Sequence, residues 1–273
     1  MHDELRHFLL VVEHGTFTRA ARHAHLAQPS LSASIKRLEE SMGGRLLHRL
    51  PRGARPTASG RALIPHAQAA LSAVEAGRRA VMEVEGLDAG EVRLGGGATA
   101  CTYMLPPLLA AFRKRYPDVR VRLRETMTPL VREELRAGRV DLGIAEGDGE
   151  LWCEDELIIV RAADSDLEPG PGAPFVAFTH GASMRKLQDQ HFPEVEVVAE
   201  LASIASVKGH VRAGIGLSLL SRAAVENDLA LGTLVEVPEA RTPLKRKLVL
   251  CHPGLDRLSP AGRALRELLL TPG

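Results

Sequence analysis

The chain has 273 residues, 45% of them apolar and 25% charged, which suits about two folded domains and excludes wholesale disorder. No run approaches the roughly 18 to 20 apolar residues of a membrane span, and the opening Met1-His-Asp-Glu-Leu-Arg6 lacks a basic-then-apolar leader. Cys101, Cys153 and Cys251 are too widely spaced for a disulfide framework or a metal motif, so the cytoplasm is the expected compartment and no cofactor is implied. Aromatic residues, at 3%, are too few for a single-stranded nucleic-acid stacking platform. The net charge of +1 hides an asymmetry. Residues 1–60 hold nine Lys and Arg against five acids, a net of +4, which leaves −3 for the rest. A basic end on a mildly acidic body points to an anionic polymer at that end.

In chain order, Leu5, Phe8, Leu9 and Val12 share one helical face, and Gly15 stops that helix. Thr16 caps a second helix with the small apolar pair Ala20 and Ala21. Pro29 suits the first turn of a third helix, whose core face is Leu31, Ile35, Leu38 and Met42, and Gly43-Gly44 ends it. Residues 46–50 predict a short strand and 51–56 a basic turn. Thr57 caps an Ala-rich helix over 58–86 with Leu63, Ala67, Ala70, Leu71, Val74 and Val81 at helical spacing and Pro65 near its start. Residues 87–90 read as a linker.

From Glu91 strands and helices alternate. Strands are expected at 92–96, 119–124, 140–145 and 157–162, with helices at about 102–116 and 129–137. After a Pro/Gly-rich break at 168–174 the rhythm resumes. Strands fall at 175–178, 195–199, 216–220, 234–237 and 244–251, with helices at 182–191 and 203–213 and a closing helix at 259–270. This is the pattern of an α/β domain with a mainly parallel sheet.

Two helices joined by a short turn, the second opening on Gln28-Pro29-Ser30, form a helix-turn-helix pattern whose second helix enters the major groove tip first. With Leu31, Ile35 and Leu38 inward, Pro29, Ser32, Ala33 and Lys36 face outward and Gln28 lies at the tip. Gln pairs bidentately with adenine and Ser with several base edges, while Lys36 and Arg37 suit phosphates. Arg49, Arg52 and Arg55 on the strand and turn are placed for a neighbouring minor groove or backbone. A helical subdomain with a solvated basic face is the alternative.

Phe8, Gly15-Thr-Phe-Thr-Arg-Ala-Ala21, Leu26-Ala-Gln-Pro-Ser-Leu-Ser32, Ile35, Leu38-Glu39, Gly43-Gly44, Leu46-Leu47, Arg49 and Thr57-Ala-Ser-Gly60 resemble the N-terminus of LysR-type transcriptional regulators. Leu105-Pro106, Tyr116-Pro117, Gly138, Asp141-Leu-Gly-Ile144 and Val211-Arg-Ala-Gly-Ile-Gly-Leu217 resemble the effector domain of that family. The resemblance implies three parts: a winged helix-turn-helix over 1–58, a dimerising linker helix and hinge over 59–90, and a two-lobed α/β effector domain over 91–273. The last resembles type 2 periplasmic binding proteins, with lobe I at about 91–162 plus 252–273 and lobe II at about 163–251. It further implies double-stranded DNA as partner, a homodimer, a homotetramer of two such dimers, and a small-molecule effector; RNA polymerase is a further candidate partner. Ala27 departs from a common capping Ser, Leu47 from a common Phe, and Ala33 from a frequent polar residue.

Parallel sheets place ligands at strand carboxyl ends beside helix N-termini. That rule selects Thr99, Ala100, Cys101 and Thr102 after the first strand, Thr128 after the second and Glu146 after the third. In the second lobe it selects His180, Ser183, Ser203 and Ile204. By resemblance, Thr99, Thr128, Ser183 and Ser203 fall near effector-contact positions; each is otherwise a plain helix cap. Glu146 would repel anions or bind an amine, or else be solvated or salt-bridged, and His180 is a ligand contact or a structural histidine. Peroxide-sensing relatives place a reactive Cys where Ser183 stands here, so that thiol switch is not expected. Cys101 is either a thiol of lowered pKa at a helix start or a buried inert one.

The expected function is a sequence-specific DNA-binding regulator controlled by a small molecule, and no enzyme. The alternative is a small-molecule-binding protein or enzyme on the same two-lobed fold, its N-terminal domain serving association. Residues 1–60 and the lack of a nucleophile elbow, phosphate loop or His-rich metal motif argue against it.

Overall fold

The structure, a computed structural model, describes residues 1–50, 53–84 and 90–271. Arg52 and the linker positions 87–89 therefore lie outside the described residues. The chain divides into two units, Met1–Asp88 with Arg136–Arg139, and Ala89–Leu135 with Val140–Gly273.

In the first unit, α1 (His2–His14) ends on Gly15 in the left-handed conformation. The Thr16 hydroxyl accepts from Arg19 N–H and starts α2 (Phe17–His23). Helix α3 (Gln28–Met42) carries Pro29 in its first turn and ends at left-handed Gly43. Leu5, Phe8, Val11, Ala20, Ala21, Leu31, Ile35 and Leu38 form the core between these helices. Met42, expected in that core, is 43% exposed, because the last turn before Gly43 runs past the packed face. The stretch expected as a turn contains a strand: β1 (Leu47–Leu50) pairs antiparallel with β2 (Gly53–Pro56), Leu47 opposite Pro56. Ala54 N–H donates to the Gly15 carbonyl at 2.7 Å, so β2 is tied to the end of α1. Helix α4 (Ala58–Val84) is capped by the Thr57 hydroxyl, which accepts from Gly60 N–H. Gly60 is required there because a Cβ would collide with the Leu46 carbonyl. Ala67 is buried against the core with Leu63, Ile64 and Leu71 beside it, while Val74 and Val81 are exposed.

The second unit has two large hydrophobic cores and a small cluster of Val131, Ala145, Val249 and Cys251. Strands β3 (Glu91–Gly96), β4 (Arg120–Glu125) and β5 (Leu142–Ala145) are parallel. They alternate with a π-helical turn Ala100–Met104, α5 (Leu105–Arg115) and α6 (Val131–Arg136). With α10 (Pro260–Leu270) these elements enclose the lobe I core around Leu94, Leu105, Phe112, Leu142 and Leu265. Lobe II holds β7 (Pro174–Phe178), α7 (Ser183–His191), β8 (Glu196–Leu201), α8 (Ile204–Arg212), β9 (Ser218–Ser221), α9 (Arg222–Ala230) and β10 (Leu234–Glu236). Its core centres on Phe175, Val176, Phe192, Val207 and Val211.

Two long strands, β6 (Glu150–Ala162) and β11 (Leu244–Cys251), pair antiparallel and serve both cores. Leu248 and Leu250 are in the lobe I core, and Leu157–Val160 in the lobe II core. The sheet order is β10-β6-β11-β5-β3-β4, with β9 also on β6. The expected mainly parallel sheet is therefore a mixed one. Parallel pairing joins β3 with β4 and β5, and β7 with β8, with a further parallel bridge from Phe175 to Leu217, while β6 pairs antiparallel with β9, β10 and β11, and β11 with β5. The first half of β6 was not expected, because Glu150, Glu154, Asp155 and Glu156 break its apolar pattern.

Candidate functional site

The N-terminal unit presents the tip of α3. Gln28, Pro29, Ser30, Ala33, Lys36 and Arg37 are exposed and Ser32 is half-buried, because the opposite face is fixed in the core by Leu31, Ile35 and Leu38. The N-cap is Ala27, whose side chain makes no capping bond, so the first N–H groups of α3 remain open at its positive end. Arg49 of β1 reaches back to α3. Its Nη2 donates to the Ser32 hydroxyl at 3.0 Å, and its guanidinium stacks 4.7 Å from the Phe17 ring centre. The strand thus brings an arginine to the exposed side of α3. Arg37 donates to Glu4 at 3.2 Å and Lys36 lies 3.6 Å from Glu40. Arg55 is exposed opposite His48 in the β1–β2 ladder.

In the second unit a cavity of about 520 Å³ opens between the lobes. Lobe I contributes Thr128, Pro129, Arg132 and Glu146, and lobe II contributes residues 180–183, Arg185, Lys186 and Asp189. Four of the positions selected from sequence, Thr128, Glu146, His180 and Ser183, thus line one space. The Thr128 hydroxyl packs onto Gly97, where any Cβ would collide with it. Ser183 opens α7, and its hydroxyl donates to Glu146 Oε1 at 3.0 Å across the lobes. His180 is exposed and lies 3.5 Å from Glu200.

The remaining positions are distributed differently. Thr99 is nearly buried, and its hydroxyl accepts from Arg246 Nη2 at 3.3 Å. Ala100 and Cys101 belong to the lobe I core. Burial, aided by the Glu125 charge, pushes the Cys101 thiol up to about 12, which is the environment of an inert thiol. Thr102 is exposed outside the cavity lining. Ser203 caps α8, accepting from Ser206 N–H at 3.1 Å, and Ile204 is packed in the lobe II core.

Sequence reasoning missed a buried charged pair that contacts the cavity-lining Glu146 without itself lining the cavity. Arg246 on β11 faces Asp155 on β6 in the ladder. Its Nε donates to Asp155 Oδ2 at 2.7 Å, and the Ser221 hydroxyl donates to Asp155 Oδ1 at 2.6 Å. Asp155 is 2% and Arg246 8% exposed. Arg246 Nη1 also reaches Glu146 at 3.4 Å. Arg132 was missed too; its guanidinium donates to the carbonyls of Glu146 and Asp148 and so fixes the loop after β5. Arg185 binds Asp189, Glu200 and the Phe178 carbonyl, and its hydrogen bond holds the Glu200 carboxyl below the usual range. A sequence signal existed for one pair: the blocks Glu154-Asp155-Glu156 and Lys245-Arg246-Lys247 are complementary in charge and fall on facing strands.

A winged helix-turn-helix joined to a two-lobed α/β sensor is the architecture of a DNA-binding regulator that carries an effector domain. Family comparison agrees over nearly the whole chain. Residues 2–61 match the family described as bacterial regulatory helix-turn-helix protein, lysR family, and residues 85–271 match the LysR substrate binding domain. The chain belongs to the LysR family of transcriptional regulators. It is 32% identical over 293 aligned residues to the uncharacterized HTH-type transcriptional regulator YeiE of Escherichia coli (strain K12), covering 98% of this chain and 97% of that one. It is 29% identical to a probable RuBisCO transcriptional regulator of Gracilaria tenuistipitata var. liui, over 98% and 95% of the two chains. Among solved structures it shares its fold with a full-length OxyR variant from Pseudomonas aeruginosa at TM-score 0.70 and 22% identity, over 98% and 94% of the chains. Full-length CbnR in complex with its target DNA gives TM-score 0.70 at 17% identity, over 98% of each chain. The protein is thus a DNA-binding transcriptional regulator and not an enzyme. No described helix is long and apolar enough to cross a membrane.

Proposed function

We propose that a small molecule bound in the interlobe cleft controls how this regulator holds its operator. The cavity of about 520 Å³ lined from both lobes carries this reading, because a ligand touching both lobes favours one lobe arrangement over another. In this reading the division is 1–58 for the DNA-binding domain, 59–90 for linker helix and hinge, and 91–273 for the sensor. Gln28, Ser30 and Ser32 read base edges, with Pro29 and Ala33 at the groove surface. Lys36, Arg37, Arg49, Arg52 and Arg55 hold phosphates or a minor groove. Helix α4 pairs with a second copy through its exposed apolar residues, and two such dimers make a tetramer that works in the cytoplasm. RNA polymerase is the partner an activating arrangement would engage.

The test begins with a thermal-shift screen of metabolites on the full chain, since a ligand of the native state raises the midpoint. Ser183→Trp should fill the cavity, abolish the shift caused by a hit, and leave affinity for the DNA upstream of its own coding region intact. Hits that bind Ser183→Trp as well as the parent protein would place the effector elsewhere.

A further inference from the structure

We propose that Glu146 is a resident anion of the cleft. Its carboxylate occupies donors that an anionic group of the effector takes over, so this side chain sets which effectors enter and at what concentration. The inference rests on the cleft being the effector site.

Glu146 follows β5 in lobe I, with its backbone held by Arg132. Among the described residues its Oε1 has two side-chain partners, and both donate. One is the Ser183 hydroxyl at 3.0 Å, in the first turn of α7 on the opposite lobe. The other is Arg246 Nη1 at 3.4 Å, on β11 and outside the residues that line the cavity. The cap residue of α7, Ala182, makes no side-chain capping bond, so the Glu146 carboxylate supplies negative charge at that helix end from across the cleft.

The bond to Arg246 is the weaker of the two. That guanidinium is already neutralised by Asp155 at 2.7 Å, and Glu146 is its second, longer acidic partner. Asp155 is 2% exposed and held by Ser221, whereas the Glu146 side chain is 38% exposed and borders the cavity. The charge of the lining sets the ligand class. Arg132, Arg185 and Lys186 face Glu146 and Asp189, and Asp189 is engaged by Arg185. Once Glu146 swings out, the lining keeps the Arg132, Arg185 and Lys186 charges and the Ser183 hydroxyl against Asp189, with Arg185 also paired to Glu200 beside the cavity. A carboxylate or phosphate group fits that set, and a cation does not. Entry of the anion also breaks the Glu146–Ser183 bond between the lobes, which couples binding to lobe position.

The experiment uses the full-length protein and its Glu146→Gln, Glu146→Ala and Glu146→Gln/Ser183→Ala variants, with far-UV circular dichroism to verify folding. Inorganic phosphate, succinate and putrescine are titrated calorimetrically at matched ionic strength. Removing the competing charge should tighten phosphate or succinate binding by about tenfold or more in both Gln and Ala variants. The added Ser183→Ala change should cancel most of that gain. Two results would overturn the proposal. One is no gain for either anion in Glu146→Gln and Glu146→Ala. The other is putrescine binding that the parent shows and Glu146→Gln loses, which would make Glu146 a direct ligand of a cation. The cleft reading is judged separately: if Ser183→Trp blocks metabolite hits while anion affinity ignores Glu146, the cleft stands and the resident anion falls. Hits indifferent to Ser183→Trp would remove the cleft reading and this proposal together.

Discussion

Asp155 and Arg246 illustrate how much a single buried pair can decide. Each is nearly sealed from water, and Arg246 also donates to the Thr99 hydroxyl. Asp155→Asn leaves Arg246 its longer Glu146 contact, whereas Arg246→Met strands the buried Asp155 carboxylate with the Ser221 hydroxyl, so Arg246→Met should cost about 3–5 kcal/mol in urea unfolding of the sensor unit. Asp155→Leu/Arg246→Met should recover most of that loss, a comparison that separates burial cost from packing. His7 gives a pH dependence. Burial holds its pKa below the usual value, and its Nδ1 lies 2.7 Å from the nearly buried Ser34 hydroxyl. A depressed folded pKa means the unfolded chain takes up the proton first. The contribution is therefore complete above about pH 6.5 and is lost as pH falls through the folded value. His7→Gln should flatten the fall in thermal midpoint between pH 7 and 5. At the DNA end, Gln28→Ala should remove about 1–3 kcal/mol of discrimination between operator and scrambled DNA, measured by anisotropy. Equal losses on both sequences would make Gln28 a non-specific contact.

Among the elements, α4 makes the plainest prediction. Leu63, Ile64 and Leu71 face the unit's own core, but Val74 is 54% and Val81 62% exposed on a helix of 27 residues. Val74→Asp/Val81→Asp should give a monomer by sedimentation and weaken operator binding, with little effect on the fold of the N-terminal unit. Leu71 is the wrong residue for this test, since charge there would also enter the core. The same elements mark where sequence was informative. The faces of α1 and α3 were readable because Leu5, Phe8, Leu31, Ile35 and Leu38 obey helical periodicity and Gly15 and Gly43 stop each helix. Strand β2 was not, since Gly-Ala-Arg-Pro has little strand propensity and is held by its partner and by Gly15. Helix α9 escaped notice for a related reason. It follows β9 without a break, and only Ala224, Val225 and Asp228 are buried along it. In the cleft, Thr128, Glu146, His180 and Ser183 were found from the rule that loops after strands meet ligands. Arg132 and Arg246 were not, because they reach the site from a helix and a mid-strand position that only tertiary structure brings near.

At the scale of the whole molecule, the two cores are completed by different stretches of chain. The buried residues of the lobe II core run from Leu157 to Val237, with Ala98, Tyr103 and Leu244 packed onto it from outside that span. The lobe I core begins at Val92 yet includes Leu248, Leu250, Leu258, Leu265 and Leu269, delivered by β11 and α10. A chain truncated after Pro243 should therefore keep much of lobe II and lose lobe I, with protease cutting concentrated over residues 91–145. The arrangement also sets a timetable on the ribosome. The strands made first must wait, with one side of β5 unpaired, while more than a hundred later residues are translated, and the lobe made second is ready to close before them. During that interval the β5 edge is open to pairing with another nascent chain. Slowing synthesis of the segment before β11 should then lower the yield of folded regulator more than slowing any segment within lobe II.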